Sequence, residues 1–141
     1  MPHKFYVGVK AVIVASNKAL LLQKPDFEGK LYWDLPGGRM DEGETFIDAL
    51  NRELKEELPS LKEYRIQDLL HVFKLEQNLK DGTGLILMIY KVSATDFEVV
   101  HSDEHSAMAW VSIDQIEQLN SDKCYISNDN FRAVELALKD N

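Results

Sequence analysis

The chain has 141 residues, 45% of them hydrophobic, which suits one domain around one core and excludes a disordered tail. Its formal net charge is -8, so a broad basic surface for nucleic-acid backbones is not expected. An acidic chain can still handle a polyanion if a divalent cation bridges the two.

Residues 5–15 are rich in β-branched and aromatic side chains and predict a strand. Ser16-Asn17-Lys18 predicts a turn, and residues 19–23 the returning strand of a hairpin. A polar loop follows over residues 24–30, then a short extended piece over 31–35 ending at Pro36. Residues 38–57, GRMDEGETFIDALNRELKEE, begin as a Gly-rich loop and become a helix, with Thr45 as its cap after an acidic start at Asp41, Glu42 and Glu44. Phe46, Ile47, Leu50, Leu54 and Leu58 recur three or four apart and predict one core-facing stripe. Residues 63–77 and 85–93 predict two strands, the second central, joined through the turn signal Asp81-Gly82. Residues 94–104 predict a loop with a short strand at 97–100, and residues 106–111 a last strand. Residues 113–119 and 130–139 predict helices. Strands around one early helix, with helices at the end, suggest an α/β fold: a mixed sheet covered on both faces.

The single cysteine, Cys124, excludes an internal disulfide and makes a reducing compartment the default. No apolar run approaches the ~20 residues of a membrane span. The start, MPHKFYVGVKAVIV, lacks the charged segment and cleavage site of a signal peptide, so a cytoplasmic protein without a membrane partner is expected.

The predicted helix carries the chemistry. Glu53, Glu56 and Glu57 stand at i, i+3 and i+4, and helical geometry sets Glu53 and Glu57 at the edge of the apolar stripe. Two carboxylates about 6 Å apart repel by about 0.7 kcal/mol in bulk water but by about 3 kcal/mol at an effective dielectric of ~20. Three acids at a half-buried edge therefore call for protons or a cation. Oxygen-only ligands favour a hard ion, Mg2+ or Mn2+, that completes its shell with substrate phosphate. The competing reading is a solvated charged face, which predicts acids away from the stripe and paired with bases; only Arg52 and Lys55 are near.

Gly38, five residues, Glu44, seven residues, then Arg52-Glu53-Leu54-Lys55-Glu56-Glu57 resembles the signature of the Nudix hydrolases. One position departs: Pro59 stands where the family usually has Gly, and Pro also stops a helix. The likeness extends to VIVASNKALLLQK, WDLPGG and SDEHSAMAWVSIDQIEQL, so it covers most of the chain as one Nudix domain, 1–141. It implies a Nudix-type α/β/α sandwich with a mixed β-sheet, and hydrolysis of nucleoside diphosphates linked to another group.

By this resemblance Glu53, Glu56 and Glu57 are the expected metal ligands, joined by the Gly38 carbonyl, and Mg2+ is the expected ion, with Mn2+ as the alternative. Glu53 or Glu57 also serves as the base that takes a proton from water. Arg52 orients Glu53 or pairs with Glu44; its competing reading is an exposed helical pair with Glu56, worth a few tenths of a kcal/mol. Glu104, in the His101–His105 loop, is a second catalytic candidate beside an ordinary loop acid. Lys24 is the candidate substrate-phosphate contact beside an ordinary loop lysine. Trp33 and Trp110 are read as core, and Phe27, Tyr32, Phe73 and Tyr125 as weaker candidates for base contact. The partner is a small nucleotide, either a nucleoside triphosphate or an ADP-ribose-like nucleotide sugar; a homodimer stays open. The alternative is a non-catalytic Nudix-type module that binds a nucleotide and regulates something else. An isoprenoid-diphosphate isomerase is disfavoured, because such relatives use a Cys upstream of the signature and Cys124 lies downstream.

Overall fold

In the computed structural model, which describes residues 3–95 and 107–139, the first apolar run forms β1 (Phe5–Ala15). It turns through Ser16 and Asn17, both with positive φ of 50° and 63°, into β2 (Lys18–Pro25). Asn tolerates that left-handed backbone, which suits a tight hairpin. Next come β3 (Leu31–Asp34), β4 (Gly37–Arg39) and α1 (Phe46–Glu57). After α1 the chain forms β5 (Tyr64–Lys74), β6 (Gly84–Ala94), β7 (Ala107–Val111), a single 3-10 turn at Ile116–Leu119, β8 (Cys124–Ile126) and α2 (Asn128–Lys139).

The strands form one sheet in the order β5-β6-β1-β2-β3-β8, with β4 on β1 and β7 on β2. The β1–β6 and β3–β8 pairings are parallel and the others antiparallel, so the sheet is mixed as expected. β1 changes partner along its length. Val14 and Ala15 pair with β2, whereas Gly8, Val9 and Lys10 pair with Arg39, Gly38 and Gly37 of β4. The link from β3 to β4 spans this fork, tied by the Ala11 amide to the Pro36 carbonyl at 2.9 Å.

Alternation along β1 builds the two layers. Val12 and Val14 pack with Leu21, Leu35, Ile89 and, from α2, Val134 and Leu138. Val9, Ala11 and Ile13 pack with Leu20, Leu22 and, from α1, Leu50 and Leu54. Each fully buried leucine contributes about 1.5–3 kcal/mol against leaving it in water. The result is the α/β/α sandwich. Trp33 and Trp110 are partly buried against the two clusters, in keeping with a packing role. No helix among the described residues is long and apolar enough to cross a membrane.

Several expectations are corrected. Phe46 and Ile47 are exposed; the stripe runs through Ala49, Leu50, Leu54 and Leu58, one turn later. The first turn is occupied instead by a capping box, in which Thr45 accepts from the Asp48 amide and Asp48 accepts from the Thr45 amide. The glycines at 37 and 38 are strand, not loop, because β1 pairs with them. β8 was not foreseen; three residues are too few to show a period. The helix expected at 113–119 is only the 3-10 turn. α2 starts at Asn128, two residues early, where the Ser127 hydroxyl accepts from the Asn130 amide. The strand expected at 97–100 lies outside the described residues.

Candidate active site

The loop before α1 is pinned to the helix by a guanidinium. Glu44 accepts the Asp41 amide at 2.7 Å and both Nε and Nη2 of Arg52. The Arg52 bonds and that amide hold the Glu44 carboxyl down at about 2, and the same bonds raise the Arg52 guanidinium above its usual value. Arg52 Nη1 donates to Glu53 Oε1 at 2.8 Å, and Nη2 donates to the Arg39 carbonyl at 3.0 Å. One side chain therefore ties the loop, β4 and Glu53 together. Arg52 meets both expected partners, Glu44 and Glu53; the Glu56 pairing is longer, 3.6 Å.

Glu53 packs its carboxylate on the Cα of Gly38. A Cβ at Gly38 would lie 2.5–2.7 Å from the Glu53 carboxyl atoms and would push that movable group aside, so glycine leaves the carboxylate its place. Gly37 has φ 144°, and a Cβ there would meet the Val9 carbonyl oxygen at 2.0 Å. Close approach acts at both, at Gly37 against the backbone of β1 and at Gly38 against the end of the Glu53 side chain.

Glu57 is buried, with 7% exposure, at the inner side of α1. Burial pushes its carboxyl up; Lys24, Lys10 and a hydrogen bond from the Gly37 amide act against that rise. Glu56 differs, with its side chain 60% exposed. Glu53 and Glu57 thus border the core, as helical geometry requires, and Glu56 stands outside. Among the described residues no group of three or more His, Cys, Asp or Glu side chains is gathered as a metal cage. The donors beside Gly38 are nonetheless oxygen only, and a cradle shaped by a carboxylate together with a buried acid suits a hard divalent ion.

Lys24 Nζ lies 3.2 Å from Asp34 Oδ2, and Lys10 Nζ lies 3.0 Å from the same oxygen. Lys10 also donates to the Leu35 carbonyl at 3.3 Å, and Asp34 Oδ1 accepts the Leu35 amide at 2.8 Å. Burial pushes the Asp34 carboxyl up, but Lys10 and Lys24 outweigh it and hold the group below the usual range. Neither Lys10 nor Asp34 was singled out from the sequence. The signal was present: Lys10 is one cation inside a strand whose neighbours Val9, Ala11, Val12 and Ile13 are fully buried.

A cleft of about 940 Å³ opens beside these residues, lined by Lys10, Asp34, Gly38 and Arg39 and by the aromatic side chains of Phe27, Tyr32, Phe73 and Tyr125. Tyr32 stacks on Tyr125 with centroids 5.8 Å apart, and the Tyr125 hydroxyl donates to Asp26 at 2.9 Å. Asp129 and Asn130, at the start of α2, line the same cleft. His71 of β5 holds Asp129 at 2.8 Å, and the Asn130 amide nitrogen donates to the Trp33 carbonyl at 3.2 Å. All four sequence-suggested aromatic candidates therefore reach the cleft. Glu104, with His101 and His105, lies outside the described residues.

An acidic helix packed on a mixed sheet, with the Glu53 carboxylate set on Gly38 and Gly38 lining the cleft, defines a class. The model of the NUDIX domain matches residues 4–129, and the chain belongs to the Nudix family, as a hydrolase. It is similar to the nucleoside triphosphatase NudI of Enterobacter sp. (strain 638), with 27% identity over 117 residues, 77% of this chain and 83% of that protein. It is also similar to the ADP-ribose pyrophosphatase of Methanocaldococcus jannaschii, with 27% identity over 127 residues, 89% of this chain and 73% of that protein. Among solved structures, the MutT protein from Methanosarcina mazei Go1 shares the fold with a TM-score of 0.75 at 22% identity, covering 100% of this chain and 98% of that one.

Proposed function

We propose that the chain hydrolyses a pyrophosphate bond in a nucleoside diphosphate linked to another group, with Mg2+ or Mn2+ as cofactor. The observation that carries this reading is the pairing of Glu53 with the Gly38 cradle beside buried Glu57, at the edge of a cleft with aromatic walls. Glu53, Glu56, Glu57 and the Gly38 carbonyl are the residues to hold the cation. When bound, the cation supplies Lewis-acid stabilisation of the charge that develops on phosphate oxygens.

The chain's own residues do the rest. Glu53 or Glu57 takes the proton of a water whose oxygen attacks phosphorus, while the anhydride P–O bond breaks and its electron pair leaves with the departing phosphate. Arg52 keeps Glu53 in place through its 2.8 Å bond and is itself anchored on Glu44. Lys24 supplies positive charge toward the phosphates, and Glu104 is kept as a second acid for the site. Phe27, Tyr32, Phe73 and Tyr125 offer faces for a nucleobase. The whole chain is read as one Nudix domain acting in the cytoplasm.

Both substrate classes remain within the proposal, since relatives named for each are similar over most of the chain. The non-catalytic reading has no support from these relatives, and Glu44, Arg52, Glu53, Glu56 and Glu57 are all present. The test is a hydrolysis screen over nucleoside triphosphates and ADP-ribose, with Mg2+ and with Mn2+, reading released phosphate, pyrophosphate and mononucleotide. Release of mononucleotide that depends on the cation is the expected result; no hydrolysis of any member would overturn the proposal.

A further inference from the structure

Lys10 is a cation in an apolar row. Side chains alternate along β1, so Lys10 shares a face with Val12 and Val14, which pack in the α2 layer, while Val9 and Ala11 face α1. The Lys10 side chain is only 13% exposed. Its ammonium donates to Asp34 Oδ2 at 3.0 Å and to the Leu35 carbonyl at 3.3 Å. Burying an ammonium costs free energy unless partners replace its water. An ammonium has three donors, and among the described residues these two contacts are the ones it makes.

The competing reading is a structural pin between β1 and the link from β3 to β4. Asp34 does not need that pin. The oxygen that Lys10 holds already meets Lys24 Nζ at 3.2 Å and the Tyr32 hydroxyl at 3.4 Å, and Oδ1 accepts the Leu35 amide at 2.8 Å. Of the two lysines, Lys10 is the one that lines the cleft, with Asp34 and Gly38. It pairs with Gly37 across β1 and β4, one residue from Gly38. From Asp34 the contacts run on to Tyr32, to its stacking partner Tyr125 and to Asp26, all of them lining the same cleft. One connected wall thus carries an ammonium at one end and aromatic faces at the other.

We propose that Lys10 is a substrate-binding residue whose remaining donor takes a phosphate oxygen of the nucleotide. The inference deepens the proposed function and rests on its reading of this cleft as the nucleotide site. Charge selects the acceptor. Lys10 and Lys24 share the one carboxylate of Asp34, so the trio carries a formal surplus of positive charge, and a bond from an ammonium to an anionic oxygen is stronger than one to a neutral base edge. Asp34 fixes the ammonium before substrate arrives, so little side-chain freedom is lost on binding.

The probe is methylenediphosphonate in excess Mg2+. Its bridging carbon resists hydrolysis, so calorimetric titration reads binding without turnover. Lys10→Met leaves Asp34 with Lys24, Tyr32 and the Leu35 amide, and should bind the probe about tenfold more weakly, the loss of one hydrogen bond to a charged group. Lys10→Gln stands in if Lys10→Met does not fold. The α,β-methylene analogue of a nucleoside diphosphate, which adds ribose and base, should weaken by the same factor. In wild-type protein with 15N-labelled lysine side chains, the probe should shift the Nζ signal that the Lys10 variant lacks. A folded variant that binds methylenediphosphonate as wild type does, or a Lys10 signal that stays in place, overturns the inference. So does a loss confined to the nucleotide analogue, which would assign Lys10 to the sugar or base, and so does wild-type protein that binds neither compound. Binding that depends on Lys10 in a protein that hydrolyses no nucleotide would sink the proposed function and leave this inference standing. Nucleotide hydrolysis without that dependence would do the reverse.

Discussion

Arg52 grips Glu44 with a two-point fork, Nε to Oε2 at 2.8 Å and Nη2 to Oε1 at 2.9 Å. Lysine cannot reproduce that geometry or hold Glu53 and the Arg39 carbonyl at the same time. Arg52→Lys should lower kcat by about a hundredfold, the cost of a misplacement near 1 Å. The melting temperature should change far less than the rate, because lysine keeps a positive charge beside Glu44. Steady-state kinetics beside a thermal melt tests both parts.

The same fork predicts a pH effect. Glu44 is depressed from 4.5 to about 2 in the folded chain. A depressed carboxylate stabilises the fold above its unfolded value, and that contribution is lost as pH falls through the folded one. Glu44→Gln should therefore flatten the fall in stability between pH 4.5 and 2 relative to wild type. Denaturant melts across that range read it; parallel curves would refute the pairing.

Glu57 and Glu56 should separate by environment while agreeing in function. Each Gln variant should lose turnover by at least about a hundredfold, the lower end of what a positioned acid or base supplies. Glu56→Gln, on an exposed side chain, should stay within about 0.5 kcal/mol of wild-type stability. Glu57→Gln should keep the native circular dichroism. Near-normal rates in either variant would contradict the site.

Neighbouring glycines should fail in different ways. Gly37→Ala puts a Cβ 2.0 Å from the Val9 carbonyl oxygen and should unfold the chain or shift its melt by many degrees. Gly38→Ala meets only the movable end of Glu53, at 2.5 Å. It should fold, with kcat reduced about a hundredfold as the carboxylate is displaced. Expression, melting temperature and kcat of the pair separate the two roles.

Pro59 should matter to stability and hardly to rate. Leu58 closes α1 through its amide to the Leu54 carbonyl, and the Leu61 amide returns to the Leu58 carbonyl at 3.0 Å. This turn has Pro at its second position, where the ring's fixed φ suits it. Pro59→Gly should leave kcat near wild type and cost about 0.4–1 kcal/mol through a looser unfolded chain. A large gain in rate would show that Pro59 distorts the site.

Much of this was legible in residue order. Long strands such as Phe5–Ala15 carry enough β-branched and aromatic residues to declare themselves, and α1 with its cap Thr45 carries a stripe and edge acids. Short pieces did not. Gly37–Arg39 is a strand only because β1 supplies its partner, and Cys124–Ile126 only because β3 does. The Lys10–Asp34 pair spans 24 positions, and such a meeting is decided by the sheet, not by local spacing. Phe46 and Ile47 fit the helical period yet face water, because period fixes direction and not whether a neighbour waits there.

The parallel partnership of the first strand sets an order on synthesis. Phe5 through Val14 must wait for Gly84 through Ser93, some eighty residues later, before both flanks of that strand are closed. During translation at about 5–20 residues per second, this apolar segment stays half-matched for several seconds. Early on, the hairpin and the acidic helix are its nearest companions. Maturation of the enzyme is therefore governed by arrival of the central region, and a ribosome stalled before it would hold a chain with an open, adhesive edge.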